Sequence, residues 1–221
     1  MDPYLHEELF QNPIINIMKL LLTILFCSFA SSTIAQEAVS WSESDRTYLM
    51  QQLTRSRDAL VKATENLTEA QWNFKEAPGR WSIKEVVEHI ALWELLFQRE
   101  ISQAISAGPQ PELAKAAKPD SIYSAFIMET KPHVSVEYTK PFTFSLPMGL
   151  NSGNNNMAWF LKMRNESITY LTNAKEDLRA HFLKPGRPNV HQVYINTFGH
   201  ADRHLRQILK VKGNPNYPKG A

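Results

Sequence analysis

Four stretches of the chain repeat apolar residues at the three- and four-residue spacing that gathers them on one side of a helix. The first starts near Ser42, with Asp45 three residues on as a reciprocal capping partner. It carries Tyr48, Leu49, Leu53, Leu60 and Val61 to about Asn66. A short helical start at Thr68 with Trp72 follows, before Pro78-Gly79 breaks the chain. The second long stretch opens at Ser82, with Glu85 three residues later and an apolar run from Val86, and reaches about Ala104 before Gly108-Pro109. The third begins around residues 154–156 and carries Trp159, Phe160, Met163, Ile168 and Leu171 to about Ala180. The fourth, set off by Pro185-Gly186 and Pro188, runs from about Asn189 to Val211.

Four amphipathic helices predict an all-α fold, a four-helix bundle. About fifty residues separate the second helix from the third, which is long for a compact domain and predicts a crossover connection. Such a crossover allows the second and third helices to run parallel, and long loops of this kind often line a site. Within it, Ile122 to Met128 reads as one short helix, and Val134 to Phe144, interrupted by Pro141, as extended loop. The tail after Gly213 has two prolines and is expected to fray.

The N-terminal segment follows a different pattern. Met18-Lys19 precedes the apolar run Leu20, Leu21, Leu22, Thr23, Ile24, Leu25 and Phe26, and small residues then lead to Thr33-Ile34-Ala35. A basic start, an apolar core and a small-residue cleavage site are the plan of a secretory signal. The core is too short for a spanning helix, which needs about 20 apolar residues. Residues 1–35 are therefore read as an extension plus signal, cleaved near Ala35, with synthesis starting at Met1 or Met18. The alternative is an uncleaved N-terminal anchor. The expected division is 1–35 extension and signal, 36–213 bundle and 214–221 flexible tail, in a protein exported to the periplasm or medium.

Without residues 1–35 the chain keeps 23 of its 24 basic and 19 of its 22 acidic side chains, a net of +4 with the signs interspersed. No basic stripe forms, so a nucleic-acid surface is not expected. The single cysteine, Cys27, lies in the signal, which leaves the bundle without a disulfide or a catalytic thiol.

The polar residues inside the apolar stripes carry the chemistry. On the fourth helix Val193, Asn196, Thr197, His200, His204, Gln207, Ile208 and Val211 share one side, so the centre of a core-facing stripe is polar. His200 and His204, one turn apart, can bind one ion together. The second helix repeats the pattern with Glu85, Val86, His89, Trp93, Leu96 and Glu100. A buried imidazole without a partner costs free energy, and a metal ion offsets that cost by accepting its lone pair. His89, His200 and His204 are thus the candidate metal ligands, three protein donors with one position left for water or substrate. Glu85 is either the capping partner of Ser82 or a hydrogen-bond acceptor that orients His89. Gln207 is placed to hold a ligand histidine or to line the pocket. Asp202 and Arg203 are expected to point off the face, with Asp202 solvated and weakly paired to Arg206, and Arg203 free to bridge to another helix. His191 is expected to face away, His181 to sit at the end of the third helix, and His133 to lie in the crossover. Trp81, Trp93 and Trp159 are read as core anchors, with Trp41 and Trp72 covering the bundle ends.

The runs from Trp81 to Ile90 and from Phe198 to Ile208 resemble the DinB/YfiT-like family of metal-dependent enzymes in its DinB-like subgroup, over roughly Ser42 to Lys212. The resemblance implies a four-helix bundle holding a divalent ion such as zinc, nickel or iron. It implies ligand histidines at His89, His200 and His204, an arginine in the third helix at Arg164, and often a homodimer. The expected activity is that of a metal-dependent hydrolase on a small-molecule substrate. Two alternatives remain at this point: a metal-dependent thiol transferase, which an exported chain disfavours, and a non-catalytic metal- or ligand-binding bundle.

Overall fold

The computed structural model describes residues 40–129 and 145–219. Within them run α1 (Glu43–Thr64), α2 (Glu69–Asn73), α3 (Ile83–Ser106), α4 (Pro111–Ala114), α5 (Asp120–Met128), α6 (Gly153–Asn173) and α7 (Val190–Lys212). The long helices start where local chemistry says they should. Ser42, Ser82 and Asn189 each accept the amide three residues on, from Asp45, Glu85 and Gln192, whose side chains bond back to the cap. Ser152 caps α6 through the Asn155 amide.

Four long helices form an all-α four-helix bundle, in which α1 and α3 each pack on both α6 and α7. Cross-helix contacts give the directions. Asn156 bonds to Lys84, Arg164 to Glu94 and Gln98 to Met163, so α3 and α6 run parallel, as the long crossover allows. Trp41 meets His191, Arg55 meets Asp202 and Lys212 meets Ala63, so α1 and α7 are parallel too. Arg57 reaches Asn165 while Arg46 reaches Ala174, which sets α1 antiparallel to α6. The helices therefore run up, down, down, up.

Two apolar clusters fill the interior. One gathers Leu53, Phe97, Leu171, Tyr194 and Phe198, the other Leu60, Ile83, Ile90, Phe160 and Ile208. Each such side chain contributes about 1.5–3 kcal/mol on burial. Between the clusters lies a polar knot centred on Arg164, which is fully buried. Its Nε donates to Glu94 at 3.0 Å, its Nη1 to the Leu53 carbonyl at 3.0 Å and to Ser56 Oγ, and its Nη2 to Glu94 and to the Thr197 carbonyl at 3.3 Å. One guanidinium thus ties all four bundle helices together.

Several expectations need correction. α6 ends at Asn173 rather than near Ala180, because Arg46 of α1 takes the carbonyls of Leu171 and Ala174 and ends the helix there. His181 therefore stands beyond the helix, buried, with Nδ1 near the Ala104 carbonyl at 3.4 Å. In the tail, Tyr217 meets Phe74 edge-on at 5.4 Å, and the Pro218 carbonyl accepts from Gln71. Trp72 is buried against the start of α6, and its ring leaves room only for a glycine at Gly153, where a Cβ atom would sit 2.2 Å from it. The one-turn α4, opened by Pro111, was not expected at all. The signal segment, His133 and the stretch Val134 to Phe144 lie outside the described residues. Among the described residues no helix is long and apolar enough to cross a membrane.

Candidate metal centre

His89 on α3 and His200 and His204 on α7 come together on the seam between these antiparallel helices, with ligand atoms within 4.8 Å of one another. The two Nε2 atoms of His200 and His204 are 3.1 Å apart. Two nitrogens that each lie about 2.0–2.1 Å from one ion stand roughly 3.0–3.4 Å apart, so this pair is already at ligand spacing. The ring centroid of His89 lies 5.1 Å from that of His200 and 4.7 Å from that of His204.

The rings are oriented from behind. Nδ1 of His89 donates to the Ser145 carbonyl at 2.6 Å, and Nδ1 of His204 donates to Gln207 Oε1 at 2.9 Å. Each bond fixes the tautomer and leaves Nε2 with its lone pair facing the triad. Glu85 plays no part in this: its carboxylate accepts from the Ser82 amide and hydroxyl and from Lys75 Nζ, so its role is the helix start.

Burial keeps the imidazoles neutral. It lowers His89 to about 4 against the opposing pull of the Ser145 carbonyl. It lowers His204 to about 3, with help from His89 and opposition from Gln207. Burial, then His204 and His89, hold His200 well below the usual histidine range. Three neutral rings with converging lone pairs are the donor chemistry that a divalent ion requires, and the residues fit one.

The sequence profile of the DinB superfamily matches residues 52–208, which holds all three histidines. The chain belongs to the DinB superfamily. A solved structure, YfiT from Bacillus subtilis, described as a probable metal-dependent hydrolase with an unusual four-helix bundle topology, is similar at 14% identity. The likeness covers 81% of this chain and 92% of that one, with a TM-score of 0.49. No curated protein sequence matches the chain.

In this DinB bundle the aromatic residues near the histidines are walls as much as core. Trp81 lies over His89 at 4.8 Å and Trp93 beside His200 at 5.3 Å. A cleft of about 220 Å³ is lined by Gly79, Arg80, Trp81, which lies over His89, and Gln207, which holds His204. A larger hollow of about 300 Å³, between α3 and α6 around Ile101, Tyr170 and Tyr194, shares no residue with the triad. None of the three histidines lines the smaller cleft either, but two of its walls, Trp81 and Gln207, touch the rings of His89 and His204.

Two features carried no sequence signal. Ser145 acts through its backbone carbonyl, which any residue type supplies. Glu88, adjacent to His89, accepts the amides of Met148 and Gly149 at 2.8 Å each, so α3 grips the end of the crossover through neighbouring residues. Asp202 is not free but pairs with Arg55 of α1, and Arg206 donates to the Ile127 carbonyl at the end of α5. His191 faces away from the triad as expected, bonding Trp41 Nε1 at 3.2 Å and Asp120 at 3.3 Å.

Proposed function

We propose that the triad holds one divalent ion and that the chain is a metal-dependent hydrolase of a small molecule. The reading rests on one observation. Three neutral imidazoles from two helices converge within 4.8 Å, and among the described residues no carboxylate joins them. An ion on three neutral donors keeps its full charge, and when bound it supplies Lewis acidity to a substrate oxygen and to water.

The protein's own residues set the rest. Ser145 and Gln207 hold the ligand rings, while Trp81 and Trp93 shield them from bulk water. The carboxylates of Glu85, Glu88 and Glu94 are engaged with a helix cap, two loop amides and Arg164, so none of them serves as general base. Esters and other activated acyl or phosphoryl compounds suit such a site better than peptides do. Imidazoles accept zinc, nickel and iron alike, with availability choosing among them. The sequence pattern from Met18 to Ala35 supports action outside the cytoplasm, and the resemblance supports a homodimer.

Chain loaded with each metal and offered activated esters is expected to release product with no thiol present, to stop with chelator and to recover when metal is returned. Turnover that survives the chelator, or that consumes a thiol, contradicts the hydrolase reading.

A further inference from the structure

Arg203 stands one residue before His204 and one turn after His200. Around α7 it lies about 60° from His200, so Asn196, His200, Arg203 and Gln207 form one row at helical spacing. All four are partly exposed, while Thr197, Ala201, His204 and Ile208 beside them are buried. The row is the open edge of the metal centre, and Gln207, one turn beyond Arg203, forms a wall of the cleft.

The guanidinium of Arg203 differs from the others that reach inward. Arg164 spends its nitrogens on Glu94 and carbonyls, Arg179 on Asp45 and Asp120, Arg46 on carbonyls at the end of α6, and Arg206 on the Ile127 carbonyl. Arg203 Nη1 is buried with no hydrogen-bond partner. The Glu129 carboxylate at the end of α5 adds a favourable charge interaction with this guanidinium. A buried cationic donor left unpaired is costly, and the planar guanidinium fork is made for two oxygens of one anion.

We propose that Arg203 receives an oxyanion of the substrate, a carboxylate or a phosphate group, at the edge of the metal centre. That the anion belongs to a substrate rests on the hydrolase reading; that Arg203 binds an anion does not. An anchored anion holds the rest of the molecule across the row toward His200, over the stretch of helix the metal ligands occupy. The site then selects negatively charged small molecules, with the reacting bond a few atoms from the charge.

The test titrates inorganic phosphate and, separately, acetate into the full chain stripped of metal, and repeats both on Arg203→Gln, Arg203→Lys and Lys210→Gln. Arg203→Gln is expected to weaken the preferred anion about tenfold, Arg203→Lys to recover part of the loss, and Lys210→Gln, on the exposed side of α7, to change nothing. The anion that loses more names the group. Equal affinities in the parent and Arg203→Gln, or an equal loss in Lys210→Gln, overturn the proposal. Zinc uptake on the same preparations separates the two readings. A chain that takes up no zinc but loses phosphate binding in Arg203→Gln keeps the anion site and removes the hydrolase; normal zinc with unchanged anion binding does the reverse.

Discussion

Gln207 and Glu85 show how far residue type and spacing can be read. Both lie near a candidate ligand, and both have an amide or carboxylate able to accept from imidazole. Gln207 does so, because three residues past His204 places its Oε1 beside Nδ1. Glu85 does not, because Ser82 and Lys75 hold both of its oxygens four residues before His89. That His89, His200 and His204 would cluster was legible, since a polar residue at the centre of an apolar stripe demands a reason. The Ser145 carbonyl was not, because a backbone acceptor brought in by a loop leaves no mark on composition. Gln207→Ala is expected to lower metal affinity about 10- to 100-fold without unfolding the chain, as read by competition with a chromogenic chelator. Glu85→Gln is expected to leave that affinity alone.

Helix starts were readable because their determinants are local: a capping residue and its partner three positions on. The end of α6 was not, because the residues after Asn173 are good helix formers and the stop comes from Arg46 on another helix. The knot at Arg164 was half legible. The arginine is visible in the third helix, but its partners Glu94, Leu53, Ser56 and Thr197 come from three different elements. Arg164→Ala leaves the Glu94 carboxylate buried without its cation and should destabilise the bundle by about 3–5 kcal/mol. Replacing both residues, as Arg164→Met with Glu94→Leu, should cost much less. Denaturant unfolding of the two variants measures this, and equal losses would show that the ion pair is not what couples the helices.

Across the whole molecule, the pattern gave the four long helices and allowed α3 and α6 to be parallel, while side-chain contacts show that they are. The pairing of α1 with α7 depends on contacts about 150 residues apart and has no local signature. One such contact makes stability depend on pH. Arg179 bridges Asp45 at the start of α1 and Asp120 at the start of α5, with His191 of α7 also on Asp120. Burial pushes both carboxyls up, but bonds from His191 and Arg179 at Asp120, and from Arg179 and Ser42 at Asp45, outweigh it and hold both below the usual carboxylate range. Their stabilisation is complete above the unfolded value of about 4 and is lost as pH falls through the lower folded values. Asp120→Asn should therefore cost about 1–2 kcal/mol at pH 7 and progressively less below pH 4, in denaturant midpoints compared with the parent.

The central claim is that three ring nitrogens from α3 and α7 hold one ion. Metal content per chain, measured by elemental mass spectrometry after purification from the native compartment, tests it on the parent and on His89→Ala, His200→Ala and His204→Ala. About one ion per chain in the parent and little in each variant is the predicted result. Equal occupancy in all four proteins, with circular dichroism showing each one helical, would contradict the account.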